Sequence, residues 1–355
     1  KTDNAFLADY QRLTKADIQA TVLAPATAES LERHLKNGIR LNVRSNARSE
    51  RPNIDGFELV NDVSDSTRSE FSPTNTQVHG VDEADFVKYD GRYIYMTTEP
   101  EYLWGSLPSN AAVRILETDP ANAGVREIAT IPISNGQWGE VSQLYLVGDD
   151  TQTQSLVTLR STWNFIAASE PIFTDSIFTD IPAPYANKIQ LRSYDLSDPS
   201  TPEQDFDIEI DGYLQASRKI GNTLYLVTQF SPYLPMINFY IADEDEAQRN
   251  EQKIEALELD DLLPKVSVNG ASETPLVSAE DCLLPVNTSD NSGYLNMVTL
   301  VAVDLSEQSV RSAKCLNASV QGIYANGDNL YIGASKGAQG SHSEALTVVH
   351  KFGLT

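Results

Sequence analysis

The sequence carries the stretch Asp90-Gly-Arg-Tyr-Ile-Tyr95-Met, and its pattern of an apolar pair ending in tyrosine occurs four times. The other copies are Ser142-Gln-Leu-Tyr145-Leu-Val, Gly221-Asn-Thr-Leu-Tyr225-Leu-Val and Gly327-Asp-Asn-Leu-Tyr331-Ile. An apolar run without alternation suits a strand that is buried on both faces. The copies therefore predict one strand of a repeated β unit, in which the tyrosine has a packing role.

A second motif fixes the length of the unit. It reads Ser193-Tyr-Asp195-Leu-Ser and Ala302-Val-Asp304-Leu-Ser, with a weaker copy at Ile115-Leu-Glu117-Thr. Asp195, Asp304 and Glu117 precede the tyrosine of the next copy of the first motif by 30, 27 and 28 residues, respectively. With the remaining strands the unit is ~50 residues, which is typical of a four-stranded propeller blade. The predicted fold class is therefore all-β, with β-propeller-like blades.

The count of units predicts an incomplete propeller. Residues 76–355 hold barely three complete units and a partial one, whereas a closed propeller needs at least ~4 blades. We therefore expect this chain to be a fragment of a larger propeller. Two stretches interrupt the repeat, an aromatic and proline-rich insertion at 163–187 and an insertion at 241–290 whose first part, 241–264, is acidic and predicted to be helical as far as Pro264.

Residues 1–43 are predicted to be a helical lead-in. Phe6, Tyr10 and Leu13 have the spacing of one helix face. A second helix is expected to begin after the cap Thr27 and to end at Gly38. Residues 44–75 are polar and are predicted to be a linker.

The composition limits the classes of function. The chain has 50 acidic and 26 basic residues and a formal net charge of -24, so nucleic acid and anionic lipid surfaces are disfavoured as partners. No apolar stretch approaches the ~20 residues of a membrane span. No serine-nucleophile, P-loop, dinucleotide-binding or HExxH motif occurs.

Two groups of carboxylates are candidate calcium sites, and Ca²⁺ is the one cofactor that the sequence suggests. The first is Asp82, Glu83 and Asp85, which precede a strand. Such oxygens can converge on Ca²⁺, or Asp82 and Asp85 can instead bond backbone amides and a nearby Lys88 or Arg218. The structural alternative is favoured.

The second group alternates with apolar residues along a predicted strand. The alternation places four carboxylates on one face of that strand, Asp205, Asp207, Glu209 and Asp211. A solvated strand face is the first explanation. Because like charges in a row repel one another, a bound cation or a facing arginine would help.

Two further features bear on stability and binding. Cys282 and Cys315, the only cysteines, are expected to form a disulfide rather than to be unrelated small core residues. The insertions at 163–187 and 241–264 are expected to build a binding rim. Its candidate contact residues are the aromatic residues of the first insertion, namely Trp163, Phe165, Phe173, Phe178 and Tyr185.

Three segments resemble a poorly characterised family of secreted prokaryotic proteins, whose β-propeller domain is distantly related to WD40 repeats. They are Asn75-Thr-Gln-Val-His79-Gly-Val-Asp82-Glu83-Ala-Asp85-Phe-Val-Lys88-Tyr-Asp90-Gly-Arg-Tyr-Ile-Tyr95, Gly212-Tyr-Leu-Gln-Ala-Ser217-Arg218-Lys-Ile-Gly-Asn-Thr-Leu-Tyr225-Leu-Val, and Asp261-Leu-Leu-Pro264 with Asp281-Cys282. The resemblance runs from about residue 27 to the end. Members of the family usually continue well beyond the point where this chain stops.

The resemblance implies a propeller and export, often behind a signal or lipoprotein peptide, but it supplies no catalytic residues. The expected location is secreted or periplasmic, with lipid anchoring of a precursor left open. We expect a binding or scaffold protein of the cell envelope, whose partner is a protein, peptide or glycan. The alternative is an extracellular hydrolase that uses carboxylates or a metal, and the missing catalytic motifs favour the first.

Overall fold

The computed structural model describes residues 14–15, 23–48, 81–99, 111–133, 138–139, 142–148, 153–165, 185–239, 241, 243–286, 290–317, 322–326, 328–336 and 346–353. Its N-terminal part contains β1 (Thr14–Lys15), β2 (Leu23–Pro25), α1 (Ala28–Arg48) and β3 (Val81–Asp82). No helix among these residues is long and apolar enough to cross a membrane.

Two blades follow, each a meander of four antiparallel strands. The first contains β4 (Val87–Tyr89), β5 (Tyr93–Thr97), β6 (Ala112–Asp119) and β7 (Gly124–Pro132). The second contains β9 (Gln143–Gly148), β10 (Thr153–Phe165), β11 (Tyr185–Asp195) and β12 (Glu203–Asp211), with the short β8 (Trp138–Gly139) also paired to β10.

The third blade has the same order, with β13 (Tyr213–Ile220), β14 (Thr223–Phe230), β19 (Met297–Asp304) and β20 (Ser309–Leu316). The fourth sheet has three strands among the described residues, β21 (Gly322–Ala325), β22 (Asn329–Lys336) and β23 (Leu346–Gly353). Three complete blades and a partial one agree with the unit count from the sequence.

The blades pack face to face. One apolar cluster joins the first and second blades, where Ile115 and Ile131 meet Leu156. A larger cluster lies between the second and third blades and includes Ile208 and Val301. A third joins the third blade to the fourth sheet. The middle strands of a blade, such as β14 and β19, are buried on both faces, which explains why their sequences do not alternate.

The tyrosine motif is offset by one strand in the second blade. Tyr95, Tyr225 and Tyr331 lie on second strands, but Tyr145 lies on β9, which is a first strand. The spacing of 28 residues from Glu117 to Tyr145 resembles that of the other copies, but it does not place Tyr145 on the same strand of its blade. Strand β9 buries Leu144 and Tyr145 completely, as a second strand buries its apolar residues, so it can carry the same apolar pattern. Tyr95 and Tyr145 are fully buried, as their predicted packing role requires.

The N-terminal prediction needs correction in two places. Residues 14–15 and 23–25 are strands rather than helix, because they pair with strands of the second insertion. Helix α1 does not end at Gly38 but continues to Arg48, five residues into the predicted linker. A Cβ on Gly38 would lie 2.4 Å from the backbone of Tyr294, so the glycine allows close packing instead of ending the helix. The stripe of Phe6, Tyr10 and Leu13 lies outside the described residues.

The second insertion occupies the chain between β14 and β19, so it extends past residue 290, and it is attached to both neighbouring blades. It contains α2 (Glu244–Glu255), α3 (Leu259–Leu262), β15 (Lys265–Val268), β16 (Thr274–Pro275), a 3-10 turn (Ala279–Asp281), β17 (Cys282–Pro285) and β18 (Ser292–Gly293). Strand β15 pairs with β12 of the second blade, and β17 pairs with β20 of the third. The acidic segment is thus helical as predicted, but it is divided into two helices before Pro264.

Helix α1 holds the acidic helix by charge as well as by packing. The guanidinium of Arg40 contacts Glu251 at 2.6 Å and also bonds Glu255. Lys36 donates a hydrogen bond of 2.9 Å to the carbonyl of Glu255. The apolar side of α2, including Ile254, is buried. This side of the insertion is part of the fold and does not project as a free rim.

The predicted disulfide between Cys282 and Cys315 is present. The two residues lie opposite one another on β17 and β20, and both are fully buried. The bond therefore fastens the insertion to the outer strand of the third blade, over a register of only two residue pairs.

Replacing both cysteines, Cys282→Ser with Cys315→Ser, should lower the free energy of unfolding by about 3–4 kcal/mol, because the cross-link closes a loop of 33 residues. Urea unfolding of the variant and of the oxidised wild-type protein measures the difference. Two free thiols in the native wild-type protein would refute the bridge.

Candidate binding surface on the first strands

Residues 81–89 join three blades within a few positions. Strand β3 pairs with β13 of the third blade, where Asp82 lies opposite Lys219. Asp85 then forms a two-way backbone bridge to Leu144 on β9 of the second blade. Strand β4 begins the first blade two residues later. These contacts identify the first strand of each blade as the innermost one, which in a propeller faces the central channel.

Lys88 is the centre of this junction. Its side chain is 6% exposed, and its ammonium donates to Asp82 Oδ1 at 2.8 Å and to the Glu83 carbonyl at 2.7 Å. The same ammonium lies 5.7 Å from the centre of the Tyr145 ring. A buried ammonium is stable only when it is paired in this way. Lys88 thus links the segment before the first blade to the second blade.

Tyr145 continues the junction to the third blade. Its hydroxyl donates a hydrogen bond of 2.8 Å to Ser217 Oγ on β13. Burial raises the pKa of Tyr145 well above its usual range, so the phenol stays neutral and keeps its proton for this bond. In the first blade, Tyr95 bonds the Asp90 carboxylate at 2.9 Å. The packing role assigned to these tyrosines therefore includes a specific hydrogen bond in each case.

The first group of candidate calcium ligands lies in this junction, and each carboxylate has a protein partner. Asp82 faces Lys88 and lies 3.8 Å from Lys219, and Glu83 lies 3.3 Å from Arg218. Asp85 accepts a bond of 2.7 Å from the amide of Phe86. Among the described residues no group of three acidic, histidine or cysteine side chains is arranged to hold a metal ion. These contacts support the structural alternative, and a calcium site remains the second hypothesis.

The second group lies on β12 as predicted, with Phe206, Ile208 and Ile210 buried on the opposite face. Asp207, Glu209 and Asp211 face β11 in register, whereas Asp205 lies at a β-bulge and has no residue opposite it on β11. Lys188 lies 2.9 Å from Asp211, Gln190 donates to Glu209 at 2.9 Å, and Arg192 Nε lies 3.1 Å from Asp207. Asp205 accepts from Gln308 at 2.9 Å. The repulsion is thus relieved by a ladder of facing side chains, including the arginine that the sequence analysis considered.

The predicted aromatic rim is placed only in part. Trp163 and Phe165 belong to β10, and Tyr185 begins β11, so the hairpin continues regularly through three of the five positions. The insertion is therefore confined to residues 166–184. These residues, among them Phe173 and Phe178, lie outside the described part of the chain. Strands β10 and β11 pair over eleven consecutive positions and carry this insertion at their ends.

A set of exposed aromatic residues is not apparent from the sequence. Among the described residues every exposed aromatic side chain lies on a first strand or directly before one. They are Phe86 (50% exposed) and Tyr89 (54%) at β4, Tyr213 (38%) on β13 and Tyr324 (45%) on β21. From sequence alone, an aromatic residue in a strand is predicted to lie in the core. Its exposure is decided by the packing between blades, which the sequence pattern does not show. Exposed aromatics on one structural layer are typical of a binding surface.

The meander of four strands, its repetition, and the face-to-face packing define a β-propeller architecture. A family model for the Beta propeller domain matches residues 71–355, which is more than half of the chain, and the chain belongs to this family. No curated protein and no solved structure gave a significant match. A domain of this family supports a general role as a scaffold for protein interaction.

Replacing Lys88 by methionine should lower the free energy of unfolding by about 2–3 kcal/mol, because Asp82 and the Glu83 carbonyl lose their shared donor. Chemical denaturation measures the effect. Arg126→Gln is the matched control, since its pair with Glu117 is exposed and is worth at most about 1 kcal/mol. Equal losses in the two variants would contradict the role given to Lys88.

The calcium hypothesis has its own test. Because cations or an amide already satisfy Asp82, Glu83 and Asp85, we expect the melting temperature to be the same with calcium and with a chelator. If the melting temperature rises in the presence of calcium, and Asp82→Asn or Asp85→Asn abolishes that rise, a metal site is established instead.

Proposed function

We propose that this chain is an exported binding or scaffold protein of the cell envelope that presents its propeller to a protein, peptide or glycan. The observation that carries the proposal is the set of exposed aromatic side chains on the first strands. Aromatic residues lose little conformational entropy when they are covered, so they are efficient contacts in protein and glycan recognition.

The proposed contact surface combines a rigid platform with the predicted rim. Phe86 and Tyr89 flank the buried Lys88, so the junction of the blades holds their strand in place. On this proposal the insertion at 166–184, at the end of the β10–β11 hairpin, adds further aromatic contacts at one side.

Export is supported by the disulfide, because such bonds persist in oxidising compartments outside the cytoplasm. The net charge of -24 suits a solvated envelope protein better than one that binds anionic polymers. Protease accessibility in intact cells, with the redox state of Cys282 and Cys315, tests this part of the proposal. Reduced thiols in a protected cellular fraction would contradict it.

Binding can be tested by removing the exposed aromatics together, as Phe86→Ser, Tyr89→Ser and Tyr213→Ser. Wild-type protein crosslinked to envelope extracts and applied to glycan arrays should retain a ligand, and the triple variant should lose at least tenfold in affinity for it. The control is Val125→Ser with Val349→Ser, which removes apolar residues that are 61% and 60% exposed but lie on other strands.

Two results would count against the proposal. One is equal retention by the triple variant and the control, which would place the contact elsewhere. The other is turnover of a peptide or glycan panel without any retained partner, which would favour the hydrolase alternative.

A further inference from the structure

An open cleft of about 530 Å³ lies between the first and second blades, away from the exposed aromatics of the first strands. Its walls come from the end of β7, from β11, and from the turn that leads into β12. The residues that matter here are Thr130, Pro132, Arg192, Tyr194, Pro202 and Gln204. The volume is within the range of small-molecule sites in proteins.

The charge of the cleft differs from that of the chain. Its described lining contains one cation, Arg192, and no carboxylate, although the chain has 50 acidic residues. Asp207 contacts Arg192 at Nε, at 3.1 Å, and Tyr194 lines the same wall of the cleft as that guanidinium. A guanidinium has five N–H donors in a planar fork, so the contact with Asp207 orients the group and leaves donor capacity toward the cleft.

A β-bulge directs a second polar group into the cleft. Ser193 is opposite Phe206, but Tyr194 is opposite Gln204, so Asp205 is an extra residue on β12. From Phe206 onward the even-numbered side chains of β12 enter the core between the second and third blades. Regular alternation would send Gln204 to that face as well. The bulge turns it to the cleft instead, as bulges next to binding sites often do.

The remaining walls suit a compact ligand with hydrogen-bonding groups. Pro132, Pro202 and the buried ring of Tyr194 provide apolar surfaces, and Gln204 provides an amide. The hydroxyl of Thr130 donates to Glu127, so toward a ligand it acts as an acceptor. Pro132 lies on the outer strand of its blade and lacks an N–H, which disfavours the addition of an extended peptide strand there. The cleft therefore fits a small molecule better than a strand.

We propose that this cleft binds a small organic carboxylate with a hydroxyl- or amide-bearing body, whose carboxylate pairs with Arg192. The fork of the guanidinium matches a carboxylate in two hydrogen bonds, which a lysine cannot reproduce. Gln204 and Thr130 hold the body of the ligand. This site is separate from the surface proposed for a macromolecular partner and does not depend on it.

Calorimetric titration of the full chain tests the proposal with matched probes. The acids are glucuronate and N-acetyl-glutamate, their neutral counterparts are glucose and N-acetyl-glutamine, and inorganic phosphate is a further arm. At least one acid should bind in the millimolar range or better, with its neutral counterpart at least tenfold weaker. Which acid binds separates a sugar acid from an acidic amino acid as the source of the carboxylate.

Variants then assign the contact. Arg192→Lys should weaken binding at least tenfold, Gln204→Ala and Tyr194→Phe severalfold, and Arg126→Gln not at all. Because Arg192 also pairs with Asp207, the Gln204 and Tyr194 variants keep the test valid if Arg192→Lys fails to fold. The proposal is overturned if neither acid binds, if phosphate binds as well as the acids, or if the cleft variants bind like the wild type.

Discussion

The fold depends on the ammonium of Lys88, which is held between the Asp82 carboxylate, the Glu83 carbonyl and the ring of Tyr145. A charge that is almost excluded from water must be satisfied on all sides. The groups that satisfy it belong to the segment before the first blade and to the second blade, and Tyr145 passes the connection to Ser217 on the third. One buried cation thus ties the segment before the first blade to the second and third blades, in addition to the apolar packing between them.

Charge and cross-linking are used differently at the outer edges of the blades. Strand β12 carries its acidic row against a ladder from β11 and is then covered by β15, and β20 is covered by β17 and locked by the disulfide. Covering outer strands in this way removes sites where other chains could pair. The second insertion therefore protects two edges at once, and helix α1 fixes it through Arg40. The insertion that contains the acidic segment thus stabilises the edges of two blades.

Sequence patterns were sufficient for the blade architecture, the disulfide, the acidic helix and the alternation on β12, because each follows from local periodicity or from residue chemistry. They failed where tertiary contact decides. Gly38 was interpreted as a helix end, but its role is the close approach of Tyr294. Tyr145 shares its motif with the tyrosines of second strands because β9, although a first strand, has the same buried apolar pair. For the candidate sites, the sequence could propose the carboxylates but not their partners. Neither the exposure of Phe86 and Tyr213 nor the bulge that turns Gln204 can be read from spacing.

The junction at residues 81–89 also bears on the order of events during synthesis. Asp82 and Asp85 are made early, but their partners Lys219 and Leu144 emerge from the ribosome much later. Contacts between residues so distant in the chain close slowly, because the entropy of the intervening loop must be lost first. The segment that unites the blades therefore waits, with its polar and aromatic residues uncovered, until the third blade has been translated. For such a chain the exposure to proteases and to misassociation continues until Ser217 and Lys219 on β13 have been made.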